Sequence, residues 1–221
     1  ELSIIFLPLV ASIISGFFGK YIGDRNSEIV TSALVSISAI LSIFVLYQVI
    51  VNQYEENIVI ATWINSGSLD VNWSMLIDPL SAVMLVVVTS VSSLVHIYSI
   101  GYMSHDPHKP RFMAYLSLFT FAMLMLVTSD NFIQLFFGWE GVGLCSYFLI
   151  GFWFKKDTAN SAAIKAFLVN RVGDFGFALG IFLIFYLFGT VNYSEVFEQI
   201  PTVIDKKLLF LGFEINSIDL I

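Results

Sequence analysis

The sequence predicts an all-α integral membrane protein, a bundle of six spanning helices, on three observations. Of its 221 residues, 57% are hydrophobic and 12% charged, against about 45–50% and 25% in soluble domains. Phe alone contributes 22 residues, more apolar bulk than a soluble core of this length can hide. Six apolar stretches approach or exceed the roughly 20 residues that span the ~30 Å hydrocarbon core. Finally, the basic residues alternate between connections. Lys20, Arg25, Lys109, Arg111, Lys155 and Lys156 fall in the first, third and fifth, none in the second or fourth, and Lys206 and Lys207 lie farther downstream. That asymmetry places the odd connections on the cytoplasmic or matrix side and the N-terminus outside.

Segment one, Leu2–Gly19, carries Pro8 near its start, where a missing N–H does least harm. Lys20–Glu28 reads as a polar turn. Segment two, Ile29–Val51, is rich in Ser and Ile, and its small residues allow close helix contact. Asn52–Ile77 is the one long external loop, with Glu55, Glu56 and Asp70, with Trp63 and Trp73 suited to headgroup level, and with a short hairpin expected within Val59–Met75. Asp78-Pro79 opens segment three, Leu80–Ile100, as N-cap and N1 proline. The basic loop Gly101–Arg111 leads to segment four, Phe112–Thr128, and Asp130 is the expected cap of segment five, Asn131–Phe154. Segment six runs over Ala162–Phe188, and Tyr193–Ile200 reads as a short amphipathic surface helix ended by Pro201. No linker interrupts these spans, so residues 1–221 are expected to form one membrane domain. With no Met before Glu1, and a terminal stretch around LLFLGFEI too short and polar to span, that domain is expected to be a piece of a longer protein. Lys20 and Arg25 follow the first apolar run instead of preceding it, so no cleavable signal is expected.

Glu140 lies near the middle of segment five, at ~14 Å from its start, close to the midplane. An ionisable group there costs about 2.5–3.5 kcal/mol on insertion scales and is a functional candidate by default. Positions 136, 137, 143 and 144 are Phe, Phe, Gly and Leu, so its own helix offers no partner. Either another helix supplies the countercharge or the carboxyl is protonated part of the time. Burial favours the protonated form and a nearby cation the ionised one, so a Glu poised between them can bind and release a proton. The plainer alternative is a neutral, hydrogen-bonded core residue. Arg171 and Asp174 are i and i+3 on segment six, which is expected to lie antiparallel to segment five and to share a polar seam with Glu140. They read either as a self-neutralising structural pair or as relay groups. Lys165 either snorkels to the headgroups or joins the relay.

Other candidates read more simply. His96 is a polar contact or a relay group, and His105 and His108 have no metal-site spacing. Cys145, the lone cysteine, excludes an intramolecular disulfide and is expected to be a buried, inert thiol. Gly138, Gly141 and Gly143 follow no strand, which excludes a dinucleotide loop, and are expected to leave room beside Glu140 for a neighbouring helix or for water. Gly176 and Gly180 form a small-xxx-small pair for close packing. There is no Walker loop, iron–sulfur cysteine cluster or convincing haem ligand pair in the sequence.

FGWEGVGLCSYFLIGFW (Phe137–Trp153), AAIKAFLVNRVGDFGFALG (Ala162–Gly180), Ile77–Met103 and FGTVNYSEVF (Phe188–Phe197) together resemble one family, in its order and over nearly the whole chain. It is the large antiporter-like subunit of respiratory complex I: subunit L of bacterial NADH–quinone oxidoreductase, equivalent to mitochondrial subunit 5. The resemblance implies an antiporter-like helix bundle, of which this chain is the N-terminal third, and a role in proton pumping coupled to quinone reduction elsewhere. The family's helix-five glutamate falls on Glu140, and its helix-six Arg and Asp on Arg171 and Asp174. Its central lysine and proton-path histidines lie on helix seven and beyond, outside this sequence. With Lys165 these residues form the candidate proton relay. The resemblance also implies no cofactor in this chain, with quinone, FMN and iron–sulfur clusters in other subunits. Partners would be other complex I membrane subunits, above all a neighbouring antiporter-like one, with the lipid bilayer and protons and no nucleic acid. The expected location is the bacterial inner membrane or the mitochondrial inner membrane. The rival is a subunit of a multisubunit sodium/proton antiporter, which shares the bundle without redox chemistry; a purely structural membrane anchor is a third.

Overall fold

Six helices long and apolar enough to cross a membrane appear in the computed structural model, which describes residues 1–67, 69–203, 207–210 and 213–217. Helix α1 spans Leu2–Ile22 and α2 Asp24–Asn52. The polar turn expected over Lys20–Glu28 shrinks to one residue, Gly23. Its φ of 86° is open to glycine and lets the chain reverse at once, while its N–H still bonds to the Gly19 carbonyl. The long loop holds more strand than expected: β1 (Glu56–Ser66) and β2 (Leu69–Ile77) pair antiparallel, with two irregularities in register.

Asp78 caps α3 (Pro79–Tyr102) as expected. Its carboxylate accepts from the Ser81 N–H at 2.7 Å, and the Ser81 hydroxyl accepts from the Asp78 N–H at 2.8 Å, a reciprocal capping box. The basic loop is shorter than expected, because Pro110 sits in the first turn of α4 (Lys109–Val127), where proline is preorganised for the helix. Helix α5 covers Phe132–Ile150 and is capped by Asn131, whose side chain accepts from the Gln134 N–H at 2.8 Å. Asp130 is not the cap. Its carboxylate instead accepts from the amides of Asn131 and Asn57, tying the connection to the hairpin. Helix α6 begins five residues before the predicted start and runs over Asp157–Phe188, followed by α7 (Tyr193–Val203), which contains Pro201 instead of stopping at it. A second hairpin pairs β3 (Lys207–Phe210) with β4 (Phe213–Asn216); Lys206 and Ile221 lie outside the described residues.

Successive helices alternate in direction, so the connections gather at two ends. At one end the Leu76 N–H bonds to the Thr128 carbonyl, Phe132 to Val191 and Tyr193 to Asp130. At the other, the Ser15 hydroxyl reaches the Pro110 carbonyl, Lys109 pairs with Glu28 at 3.9 Å and Arg111 donates to the Phe152 carbonyl. All six basic residues of the odd connections belong to this second end. Between the ends, hydroxyls join the helices: Ser42 to Thr89 and Ser36 to Ser93 across α2 and α3, Ser92 to Thr120 across α3 and α4. His96 is fully buried in the same seam, with one ring nitrogen on the Ser92 carbonyl and the other on the Ser117 hydroxyl. Such bonds replace the hydrophobic drive that lipid cannot supply between helices, at roughly 0.6 kcal/mol each.

At two of the three glycines beside Glu140 the expected room is taken by a neighbouring helix. A Cβ on Gly138 would lie 2.7 Å from the backbone of Leu126, and one on Gly141 3.0 Å from the Ala122 side chain, so α4 fills that space. Gly143 faces open space, and so does Gly176, where the expected close contact is not made by the described residues. Gly138→Ala is therefore expected to lower the thermal stability of the detergent-solubilised protein by about 1–3 kcal/mol through overpacking against a backbone that cannot yield. Gly143→Ala is expected to stay within about 0.5 kcal/mol of the parent in the same measurement.

Candidate functional site

The candidate site lies where α5 meets α6, and the position of α5 is set by its own first turn. Gln134 is fully buried and bonds both ways with the backbone of Ser74 in β2, accepting from its N–H at 2.9 Å and donating to its carbonyl at 2.7 Å. Asn131 donates to the Asn72 carbonyl at 3.0 Å. Trp63, Trp73 and Phe137 close the contact, with ring centroids 4.7–5.7 Å apart. From that anchor the helix carries Glu140 two turns in, onto the side that faces α6.

The partner that α5 lacks comes from α6. Arg171 Nη1 donates to Glu140 Oε2 in a direct ion pair, and the same nitrogen lies 3.7 Å from Asp174 Oδ2. Of the two readings of Arg171 and Asp174, the structure makes the pair part of a three-residue cluster and not self-contained. The guanidinium is committed to Glu140, while Asp174 Oδ1 accepts from the Trp139 indole N–H at 2.8 Å. Two carboxylates and one guanidinium leave the cluster with a net charge of −1, so one proton on either carboxyl neutralises it. The side chains are graded in exposure: Asp174 9%, Glu140 23%, Arg171 43%. The guanidinium also sits 4.5 Å from the centroid of the Phe167 ring, one turn away, a cation–π contact that holds the charge against α6.

Lys165 stands apart. It is six residues before Arg171, about 9 Å along the axis and on another side of the helix. It is exposed and makes no ion pair among the described residues. Trp139 and Phe167 are the parts that sequence reasoning missed. Trp139 precedes Glu140 directly, and an indole N–H inside an apolar span always needs an acceptor, a signal that points to Asp174 once α5 and α6 are taken as neighbours. Cys145 is buried, as expected.

The fold and the cluster define a polytopic membrane helix bundle with a carboxylate–guanidinium group between two of its helices, and comparison with known proteins gives its family. Residues 63–113 match the family described as NADH-ubiquinone oxidoreductase (complex I), chain 5 N-terminus, and residues 129–218 match NADH:quinone oxidoreductase/Mrp antiporter, TM. NADH-ubiquinone oxidoreductase chain 5 of Arabidopsis thaliana is 55% identical over 220 residues, 100% of this chain and 33% of the relative. NADH-quinone oxidoreductase subunit L of Rickettsia bellii is 48% identical over 217 residues, 98% of this chain and 34% of the relative. Two solved structures share the fold. One is the archaeal membrane-bound sulfane sulfur reductase, a respiratory membrane complex (TM-score 0.75, 19% identity, 87% of this chain and 38% of that one). The other is the Mrp complex of Dietzia sp. DQ12-45-1b (TM-score 0.74, 23% identity, 87% and 20%). The chain belongs to the chain 5/subunit L family of NADH–quinone oxidoreductase, and it spans about a third of the length of the curated relatives it matches.

The geometry orders the effects of substitution within the cluster. Asp174→Asn leaves the guanidinium on Glu140 and keeps an acceptor for Trp139, so the full-length protein should assemble in nearly normal amounts. Arg171→Met leaves two carboxylates on facing helices without their cation and should cost about 1.5–3 kcal/mol more, read as a lower yield of assembled protein. Equal losses for the two variants would return Asp174 to the role of Arg171's main partner.

Proposed function

We propose that the chain is part of a proton-translocating membrane subunit of NADH–quinone oxidoreductase, in which Glu140, Arg171 and Asp174 relay protons. The observation that carries this reading is the ion pair from Glu140 on α5 to Arg171 on α6, with Asp174 3.7 Å from the same guanidinium. A guanidinium does not release its proton, so the mobile proton belongs to the carboxyls. When Glu140 accepts one, its charge-assisted bond to Arg171 weakens and Asp174 becomes the better partner. A shift of about an ångström at the guanidinium then converts the 3.7 Å approach into a hydrogen bond. Return of the guanidinium expels the proton from Glu140. Lys165 contributes a second positive charge from the same helix, set back from the pair.

In this proposal residues 1–221 act as one membrane domain, and the quinone, FMN and iron–sulfur clusters sit in other subunits. The chain's partners are neighbouring membrane subunits of the complex, another antiporter-like one above all, in the bacterial or mitochondrial inner membrane. The sodium/proton antiporter reading remains the second one, supported by the Mrp antiporter named in the family of residues 129–218 and by the fold shared with the Mrp complex. The basic end faces the cytoplasm or matrix, as positive residues beside spans do. Cysteine labelling in closed vesicles checks it: Ser104→Cys is expected to react from that side and Ser66→Cys from the opposite one.

Glu140→Gln in the full-length, assembled protein tests the relay. Glutamine keeps the shape and an acceptor for Arg171 but cannot titrate. The assembled amount should stay nearly unchanged while the proton gradient built in closed vesicles falls about a hundredfold or more in rate, the lower end for loss of a positioned acid–base group. Glu140→Asp should keep part of the activity. A wild-type gradient from the Gln variant at normal assembly would make Glu140 a structural residue only. A gradient that depends on sodium, with no dependence on quinone reduction, would favour the antiporter.

A further inference from the structure

The basic end of the bundle holds three cations, Arg111, Lys155 and Lys156, without an ion-pair partner among the described residues. Arg111 is half-buried in the first turn of α4, where its guanidinium lies 4.6 Å from the centre of the Phe152 ring and 5.3 Å from that of Phe154. One Nη donates to the Phe152 carbonyl at 3.1 Å, and the Nε–H is buried without an acceptor. Lys156 lies 5.0 Å over the Trp153 ring. These side chains line a cleft of about 250 Å³ together with Asp106 and His108. Asp106, the one carboxylate lining the cleft, interacts with Arg111 but is shared among several groups. Burial pushes its carboxyl up, but hydrogen bonds from the Trp153 indole and the His108 N–H, with the nearby charges of His108 and Arg111, outweigh that and hold it below the usual carboxylate range. Three cations against one committed carboxylate leave a surplus of two positive charges at the cleft.

Arg111 also lines a second cavity of about 340 Å³, which enters the bundle between α4, α5 and α6 past Tyr115, Tyr147, Phe148 and Ile164. An anionic head in the cleft and an apolar chain in the cavity match one kind of occupant. We propose that the α4–α5–α6 junction is a binding site for an anionic phospholipid. Its phosphate is held by Arg111 with Lys155 and Lys156, and one acyl chain lies along the aromatic wall of the inner cavity. Arg111 supplies the directional contact, a planar donor fork that matches phosphate oxygens, and the lysines act as point charges at the rim. The place suits the ligand: the α4 and α6 starts and the α5 end meet here, and basic pockets between spanning helices on this side suit anionic headgroups. The site is independent of the proton relay, so it stands or falls separately from the functional reading above.

The test is lipid retention by the full-length assembled protein, reconstituted in equimolar phosphatidylglycerol and phosphatidylcholine and analysed by mass spectrometry of tightly bound lipid. The parent should retain phosphatidylglycerol preferentially. The double variant Lys155→Gln/Lys156→Gln, which touches only exposed side chains, should lower that preference by about fivefold or more. Lys20→Gln/Arg25→Gln removes the same charge from the same end and should leave it nearly unchanged. Arg111→Gln should abolish the preference, and the lysine variant decides the matter if Arg111→Gln does not assemble. Equal phosphatidylglycerol retention by the parent and the lysine variant would overturn the site. So would an equal loss in the Lys20/Arg25 control, which would reduce it to bulk surface charge. Displacement of the lipid by inorganic phosphate at constant ionic strength would assign the cations to free phosphate and overturn the lipid assignment.

Discussion

The ion pair between Glu140 and Arg171 is the constraint around which α5 and α6 are arranged. In hydrocarbon an unpaired carboxylate or guanidinium is costly, α5 offers Glu140 no cation, and on α6 Asp174 reaches Arg171 only at 3.7 Å. Glu140 has Phe and Gly around it on α5, and on α6 the Asp174 carboxylate is turned toward the Trp139 indole. Packing α5 against α6 solves both problems at once. It places the cation between two carboxylates from different helices, so the polar group that stabilises the contact is also one that can change partners.

That arrangement depends on a rigid α5, and the structure supplies rigidity from two directions. At the hairpin end, Asn131 and Gln134 bond to β2, and three aromatic rings cover the contact. Along its length, Gly138 and Gly141 let α4 approach until no Cβ could be inserted at Gly138. Helix α5 is held by backbone contact on its α4 side and by the charge cluster on its α6 side. The hydroxyl seam of α2, α3 and α4 extends the same logic inward, replacing apolar drive by short polar bonds. The guanidinium, 43% exposed and on a long stem, is the least enclosed member of the cluster.

Much of this was legible in the sequence, because the bilayer simplifies the reading: apolar length names a span and an embedded charge names a candidate site. Asp78-Pro79 announced an N-cap and an N1 proline, and the i, i+3 spacing of Arg171 and Asp174 put them on one face. What spacing could not show was the competition for Arg171. Proximity along α6 favours Asp174, but the Trp139 indole takes an oxygen of Asp174 and leaves the guanidinium to Glu140. Helix ends were misplaced at Asp24, Lys109 and Asp157 because polar residues near a membrane boundary read as loop, although backbone hydrogen bonds continue there at no loss. The glycines beside Glu140 were legible as room for a neighbour, but which neighbour would fill it was not. A missing side chain means space only when no neighbour has moved in, and at Gly138 the neighbour is the α4 backbone itself.

The two ends of the bundle therefore do different things for the centre. The hairpin end is built from directional bonds that fix α5, whereas the basic end keeps cations unpaired, Arg111 among aromatic rings with an N–H unused. Electrostatics separates them further. A surplus of cations at one end favours the anionic surface of a membrane, which fixes the depth and direction of every helix. Depth in turn decides how dry the Glu140–Arg171–Asp174 cluster is, and dryness decides how strong its ion pairs are. The surface charges and the buried ones, roughly three to four helix turns apart, thus act on the same bundle from different depths. One sets where the bundle sits, and the other sets how α5 and α6 meet.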